Sequence, residues 1–321
     1  MKNLKKLPLI LSILSLASFI TPVNADVKVV ASIKPLHSLA SYLMDGVGKP
    51  DLIVEGYGSP HGFSMKPSHA KILQNADLIF WVGEDLEIFL EKPLSSIAKK
   101  AEKIELMEIK GLNVLKFRER NIFDKHDHDD HDDHGKKEEH DDHDDHDGHE
   151  GHAHGEYDPH IWLDPMNAKV ILNKMVEHLI ENDAKNASKY KSNLKNAFKD
   201  IDKLTADVKA DLSKSTASIV FHDAYQYFEE RFDINILGAF TVNTDVMPGA
   251  EQLSEIREII EHDKVSCIFS EPQFNPDIIN AVAKDMDIKT GILDPLGATL
   301  NPGKNLYFDL IRNMSDSFKG C

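Results

Sequence analysis

Beyond its first 25 residues, the sequence has no apolar run that approaches the ~20 residues of a membrane-spanning helix. The opening segment combines a basic start, MKNLKK, with the 14-residue apolar run LPLILSILSLASFI and small residues before Asp26. This pattern is typical of a secretory signal peptide over residues 1–25, cleaved after Ala25. No cysteine lies near that point, which excludes a bacterial lipid anchor there. We therefore expect an exported, soluble protein.

Cysteine is scarce, because the chain contains only Cys267 and Cys321. In an exported protein, an even pair of cysteines indicates one disulfide bond. The bond would close a loop across a separation of 54 residues, and the chain-entropy model gives it about 4 kcal/mol of stabilisation. The alternative is two free thiols.

The sequence also lacks the basic excess of a nucleic-acid-binding protein. It has 37 basic and 54 acidic residues, for a formal net charge of −17. Much of this charge is local, since residues 124–156 contain 15 acidic residues and only three lysines. Nucleic acid requires a basic face, so we expect no nucleic-acid partner.

Strand-like and helix-like segments alternate along most of the chain. The apolar strands VKVVASI, DLIVEG and DLIFWVG are separated by helical patterns, and the alternation restarts with TASIVF, INILGAF, VSCIF and IKTGIL. Such alternation predicts an α/β fold with mainly parallel sheets. Between the two sets, apolar residues step by three or four from Tyr190 to Leu212, which predicts one long helix.

We therefore expect two α/β lobes joined by one long, rigid linker helix. The predicted boundaries are residues 26–184 for the N-terminal lobe, 185–213 for the helix and 214–321 for the C-terminal lobe. At 1.5 Å per residue the helix would be about 40 Å long, which is enough to pass across both lobes.

A histidine-rich segment, residues 124–156, interrupts the N-terminal lobe. It has almost no apolar content, so we expect a disordered loop. Its imidazoles predict metal binding, but a flexible chain loses conformational entropy at each site it forms, so the loop should be auxiliary to a tighter site. Its ten histidines are His126, His128, His131, His134, His140, His143, His146, His149, His152 and His154.

Three histidines outside that loop share a distinctive setting. His61 follows the strand DLIVEG, His160 lies beside a proline in YDPHIWLDP, and His222 directly follows the strand SIVF. Ligands of parallel α/β sheets bind beyond the carboxyl ends of the strands, so a cleft between the lobes would gather these side chains. Three imidazoles with a carboxylate or water suit tetrahedral zinc, and Asp294 follows the strand GIL as a candidate fourth ligand. Alternatively, each is an ordinary surface or hydrogen-bonding histidine.

Two other classes of protein would use the same ligands. A zinc-dependent hydrolase or lyase activates water on a three-histidine site, and a surface metal store or adhesin holds metal without chemistry. The sequence lacks an H-E-x-x-H helix and a G-x-S-x-G elbow, so we expect no enzyme.

Seven segments spread over the mature chain resemble the successive motifs of one family. They are SPHGFSMKPSHAKILQNADLIFWVG, DPHIWLDP, FHDAYQYFEERF, LGAFTVN, PGAEQLSEI, CIFSEPQFNP and LDPLGATL. The family is the zinc-binding proteins of bacterial zinc-uptake ABC transporters, of the ZnuA type. Its members include a histidine-rich insert at the same place.

The resemblance implies two lobes bridged by a rigid helix, with one Zn²⁺ held between them. It implies that His61, His160 and His222 are zinc ligands, and that Asp294 corresponds to an acidic position that supplies a fourth ligand in some relatives. Pro60 stands where some members carry an acidic ligand, so that source is absent here. A histidine at the position of His222 favours zinc over manganese, because imidazole suits zinc.

The resemblance also implies a partner and a compartment. The partner would be the membrane permease of a zinc ABC transporter, with a periplasmic metal chaperone as a further candidate, and the protein would be a monomer in the periplasm. Cys267 and Cys321 match a cysteine pair that is bridged in several members. The histidine-rich loop would capture zinc for His160, store it, or sense its abundance, unless it is simply a charged, solvated insert.

Overall fold

The computed structural model describes residues 27–118, 120–122, 155–212, 216–242, 244 and 246–321. The predicted signal peptide and all ten histidines of the histidine-rich loop lie outside these residues. Within the described part of the chain, no helix is both long enough and apolar enough to cross a membrane.

The first half of the chain builds a sheet of four parallel strands in the order β2-β1-β3-β4. The strands are β1 (Val29–Ala31), β2 (Asp51–Leu52), β3 (Leu78–Trp81) and β4 (Glu102–Glu105). The helices around this sheet are α1 (Lys34–Leu43), α2 (Pro67–Asn75), α3 (Glu84–Ser96) and α4 (Pro165–Asn182).

The second half builds another sheet of four parallel strands, in the order β6-β5-β7-β8. The strands are β5 (Ser218–His222), β6 (Ile236–Thr241), β7 (Cys267–Ser270) and β8 (Lys289–Ile292). The helices that accompany them are α6 (Gln226–Phe232), α7 (Ala250–His262), α8 (Asp277–Met286) and α9 (Leu306–Gly320). The two parallel sheets confirm the predicted α/β fold class.

The central strands are apolar without alternation because helices cover both faces of each sheet. All residues of β1, β3 and β5 are buried, including the run LIFW of β3. Strand β4 was not predicted. Its sequence EKIE has one buried residue, Ile104, because this strand lies at the sheet edge, where little apolar surface needs cover.

A single long helix, α5 (Ala187–Asp211), lies between the two sheets in the chain. Its 25 residues give a length of about 37 Å. The predicted stripe is its buried face, with Tyr190, Ile201, Leu204 and Val208 all at most 2% exposed. This face packs against α1, α4 and α9, so the helix contacts elements from both halves of the chain.

The last helix, α9, returns to the first half of the chain. The amide of Tyr307 donates to Ser38 Oγ, and its hydroxyl donates to the carbonyl of Trp162. The other end of the helix is tied to the second sheet by a disulfide between Cys321 and Cys267 of β7. One apolar core therefore runs through both sheets.

Helix α3 was not predicted either, because Pro93 lies within it and a helical pattern ordinarily ends before a proline. The chain departs from helical geometry at Glu87, whose carboxylate is fully buried. The amides of Val82 and Gly83 donate to Glu87 Oε2, at 2.7 and 3.3 Å. Burial nevertheless raises the pKa of Glu87 to about 7.

A buried carboxyl with a raised pKa destabilises the fold as it ionises, so Glu87→Gln should alter the pH dependence of stability. Between pH 4.5 and 7 the folded state holds a proton on Glu87 that the unfolded state loses, so this residue alone should lower the free energy of unfolding by about 3 kcal/mol across that range. Glu87→Gln should remove this contribution, so the decrease measured by chemical denaturation of the zinc-free protein should be smaller than in wild type by that amount. The exposed Glu91→Gln on the same helix should retain it, and equal slopes in all three proteins would contradict the assignment.

Candidate metal centre

The three histidines at predicted strand ends come together in one buried site. His61 lies on the loop after β2, and His222 is the last residue of β5 in the other sheet. His160 precedes the short 3₁₀ helix Ile161–Leu163 that leads into α4. One imidazole nitrogen of each residue lies within 4.8 Å of the other two.

The spacing of the imidazoles suits a tetrahedral metal ion. His160 Nε2 and His222 Nε2 are 3.4 Å apart, and two nitrogens bound to one zinc ion are separated by about 3.4 Å. The ring centroids are separated by 5.6 Å for His61 and His160, 5.6 Å for His61 and His222, and 5.3 Å for His160 and His222. The site is therefore nearly an equilateral triangle of rings, open to an ion at its centre.

Two buried carboxylates orient two of these rings. His160 Nδ1 lies 2.7 Å from Asp158 Oδ1, and His222 Nδ1 lies 2.7 Å from Glu271 Oε1. An ionised carboxylate only accepts hydrogen bonds, so when both are ionised each Nδ1 carries the proton and each Nε2 presents a lone pair. Two lone pairs that face each other across 3.4 Å are then stabilised by a shared cation, either a proton or a metal ion.

The electrostatics of the site keep the imidazole of His160 neutral and make the imidazole of His222 more basic. Burial and the neighbouring His222 lower the pKa of His160 well below its usual value. Burial also acts to lower the pKa of His222, but the Glu271 carboxylate outweighs it and the net shift is upward. A neutral imidazole binds metal without first losing a proton, and a basic one is a strong donor, so the pair suits a metal ion.

An irregular segment crosses from the first sheet to the second beside this site. Arg118 donates to Asp223, next to His222, at 3.1 Å and to Glu229 at 2.6 Å. Further along, Ile122 forms an antiparallel bridge with Gly238 at the edge of the second sheet. Ile122 is the last described residue before the histidine-rich segment of the sequence.

The residues that follow the last histidine of the loop, Gly155 and Tyr157, lie at the opening of the cleft. Tyr157 pairs with Lys116, and the carbonyl of Glu156 accepts from the amide of Phe117 at 3.0 Å. Phe117, Gly155 and Tyr157 line a cavity of about 20 Å³ whose other walls include the three imidazoles. The residues that directly follow the last histidine of the loop therefore lie beside the three imidazoles.

Asp294 does not belong to the group of converging ligand atoms. Its Oδ1 accepts from Gln273 Nε2 at 3.0 Å and from the amide of Leu296 at 3.3 Å. Its Oδ2 accepts from the amide and hydroxyl of Thr299, at 3.3 and 3.4 Å. The side chain is thus engaged by its own loop and by Gln273.

Three of the remaining described histidines have ordinary hydrogen-bonding or surface roles. His37 Nε2 contacts the carbonyl of Pro50, His69 Nδ1 accepts from the amide of Lys66, and His262 is exposed. A second group of potential ligand atoms, on Glu102, His178 and Glu181, lies near the surface. His178 Nδ1 lies 2.7 Å from Glu102 Oε1 and 3.5 Å from Glu181 Oε2.

Sequence reasoning missed the two carboxylates that orient the imidazoles. Asp158 stands two residues before His160 in DPH, and that spacing lets Oδ1 accept from both the amide and the ring of His160. Glu271 is 49 residues from His222 and reaches it only because β7 is paired with β5. The first contact has a local signal in the sequence, and the second depends on sheet order.

Two α/β lobes around a buried group of three imidazoles define a metal-binding protein of the substrate-capturing type. Residues 29–321 match the family model described as zinc-uptake complex component A, periplasmic. The high-affinity zinc uptake system protein ZnuA of Brucella abortus (strain 2308) is 48% identical over 303 residues, covering 91% of each chain. The protein of the same name from Yersinia pestis is 35% identical over 300 residues, covering 92% of each chain.

A crystal structure of ZnuA has the same fold, with a TM-score of 0.71 at 19% identity, and the match covers 91% of this chain and 99% of that one. The chain belongs to the ZnuA family of zinc-uptake components. Proteins of this family are substrate-binding transport proteins and not enzymes, which confirms that expectation and disfavours the hydrolase alternative.

The orienting role of Glu271 predicts that Glu271→Gln weakens zinc binding by about 10- to 100-fold, because the variant loses the charge that makes His222 basic. Competition with a chelating dye would measure the affinity. The exposed Glu255→Gln on α7 should bind zinc like wild type. Wild-type affinity in Glu271→Gln would contradict this role.

Proposed function

We propose that this protein captures one Zn²⁺ ion between imidazole nitrogens of His61, His160 and His222. The observation that carries the proposal is the pair of Nε2 lone pairs held 3.4 Å apart by buried carboxylates. The third imidazole, from His61, closes the triangle. Three nitrogen ligands favour zinc over manganese, which prefers oxygen.

The captured ion is cargo, delivered to the membrane permease of a zinc ABC transporter. Membership of the ZnuA family supports this partner and a periplasmic location. We further propose that residues 1–25 direct export and are removed, and that the mature protein is a monomer. A periplasmic metal chaperone is a second candidate partner.

The lobes proposed for this cycle are residues 26–184 and 214–321, with residues 185–213 as the linker helix. His61 and His160 come from the first lobe and His222 from the second. Capture of the ion therefore requires the spacing between the lobes to be held, and release requires it to change. Helix α5 contacts α1 and α4 of the first lobe, helix α9 contacts α1, and α9 is tied to β7 by the disulfide. These connections favour small shifts over a wide hinge motion.

The histidine-rich loop is proposed as an auxiliary zinc-capturing segment. Gly155 and Tyr157, which follow its last histidine, line a cavity together with the three imidazoles. We propose that zinc captured by the loop is passed to His160, only six residues beyond that histidine. The donors would be His126, His128, His131, His134, His140, His143, His146, His149, His152 and His154. Storage and sensing are the alternative roles for the same segment.

Calorimetric titration of four mature forms with zinc tests the proposal. They are the intact protein, a deletion of residues 124–156, His222→Ala, and the combination of both changes. We expect the deletion to keep one tight site, because that site is formed by folded elements. His222→Ala should lose the tight site and keep only the weaker binding of the loop, and the combined form should lose both.

The opposite pattern would overturn the assignment. If the deletion abolishes tight binding while His222→Ala retains it, the histidine-rich loop is the working site. His262→Ala, which removes an exposed histidine far along α7, serves as the matched control and should titrate like the intact protein.

A further inference from the structure

A second group of potential ligand atoms lies on the first lobe, at the surface. One oxygen each of Glu102 and Glu181 and one nitrogen of His178 all lie within 4.8 Å of one another. Glu102 is the first residue of the edge strand β4, whereas His178 and Glu181 lie one turn apart near the end of α4. The group therefore joins the edge of the first sheet to a neighbouring helix.

This group is well separated from the three imidazoles of the cleft. At 1.5 Å per residue, the part of α4 from Pro165 to His178 is about 20 Å long, and α4 begins beside the cleft. Glu102 begins a strand of the parallel sheet, whereas His61 follows the end of one. The two groups therefore lie at opposite ends of the first sheet and would bind an ion independently.

The imidazole of His178 lies between the two carboxylates without a hydrogen bond to either. Its Nδ1 is 2.7 Å from Glu102 Oε1 and 3.5 Å from Glu181 Oε2. Both of its ring nitrogens are nonetheless shielded from solvent and lack a hydrogen-bond partner among the residues that the structure describes. A neutral imidazole has one lone pair, and a shielded lone pair is unfavourable unless a donor or a cation meets it.

One of the carboxylates is held in place by a neighbouring amide. Asn182 Nδ2 donates to Glu102 Oε2 at 3.0 Å and to the carbonyl of His178 at 2.9 Å. This pair of hydrogen bonds fastens Glu102 to the end of α4 and leaves its other oxygen, Oε1, beside the imidazole. Carboxylates that bind metal ions are commonly oriented by a hydrogen bond of this kind.

The charges around this group favour a cation. The C-terminal end of a helix carries partial negative charge, and the last turn of α4 contains no basic side chain. Two carboxylates that meet at such an end repel each other and the helix dipole, and a bound cation would remove both costs. An open groove of about 740 Å³, lined by Glu102 and His178 among others, gives an ion access to the group.

We propose that Glu102, His178 and Glu181 bind a second zinc ion at the surface of the first lobe, with water completing its coordination. Imidazole nitrogen and carboxylate oxygen are both ligands that zinc accepts. Two ligands of one tetrahedral zinc ion are about 3.4 Å apart, so Glu102 Oε1, now 2.7 Å from the imidazole, would move by less than an ångström. The Glu102 side chain is 41% exposed, so it is free to make this shift.

The surface site binds zinc more weakly than the cleft does. The Glu181 side chain is 67% exposed and loses rotamer freedom when it binds an ion, whereas the imidazoles of His160 and His222 are already fixed by buried carboxylates. The site therefore fills only when zinc exceeds what the cleft captures. The bound ion then links β4, which pairs only with β3, to helix α4 and stabilises this edge of the sheet.

Calorimetric titration with zinc tests this inference in the intact mature protein and in the form that lacks residues 124–156. We expect the deletion form to bind two zinc ions, one tightly and one weakly. His178→Ala should lose the weak ion and keep the tight one, and in the intact protein it should lower the number of bound ions by one. Asn182→Leu should weaken the second ion by about tenfold, because Glu102 is no longer oriented.

Two matched controls remove groups outside the proposed site. Glu177→Gln changes a carboxylate that lines the same groove and pairs with Lys174, and His262→Ala removes an exposed histidine at the end of α7. Both variants should bind the weak ion like the deletion form. When His222→Ala is combined with the deletion, the weak ion should remain as residual binding, because the two sites are independent.

Two results would overturn the inference. One is a deletion form that binds a single zinc ion at millimolar excess of zinc. The other is His178→Ala that lowers the stability of the zinc-free protein but leaves the number of bound zinc ions unchanged, since that is the behaviour of a simple ion pair between His178 and Glu102. Retention of tight zinc binding by His222→Ala is a separate outcome, which would contradict the cleft site alone.

Discussion

Two imidazole nitrogens held 3.4 Å apart in a buried site are the constraint on which the rest of this structure depends. His160 and His222 come from different sheets, and their rings are oriented by Asp158 and Glu271. Desolvation makes such an arrangement unfavourable unless a cation lies between the lone pairs. The folded protein therefore favours the binding of a small cation between these two imidazoles.

Holding two sheets in that relation requires ties that cross between them. The C-terminal helix begins against the first half of the chain, where Tyr307 contacts Ser38 and Trp162. It ends at the second sheet, where Cys321 is bridged to Cys267. A buried lysine, Lys34, fastens a loop of the second half to the start of α1. These contacts hold the two lobes together on either side of the cleft.

Much of this could be predicted from local sequence patterns. The alternation of apolar strand segments with helical segments predicted both sheets, because parallel strands are buried on both faces. The spacing of three or four between apolar residues predicted the long helix, because an amphipathic helix buries one stripe of its surface. His61 and His222 stood out because they directly follow strands, and parallel strands end at a common edge. The edge strand β4 was missed because it buries too little apolar surface to leave a period, and helix α3 was missed because Pro93 interrupts its helical pattern.

The partners of the ligands were harder to predict because they depend on packing. Glu271 meets His222 through the pairing of β7 with β5, and Lys34 meets Gly297 across more than 260 residues of chain. The surroundings of Asp294 also depend on packing that the sequence does not reveal. Its place after a strand suggested a ligand, yet its carboxylate is engaged by Gln273 and by amides of its own loop.

The most direct test of the central claim is X-ray diffraction at the zinc absorption edge from crystals of the full mature chain loaded with one equivalent of zinc. The account predicts one strong anomalous peak within about 2.0–2.1 Å of a nitrogen of each of His61, His160 and His222. A cleft with no peak, together with zinc found elsewhere on the chain, would contradict it.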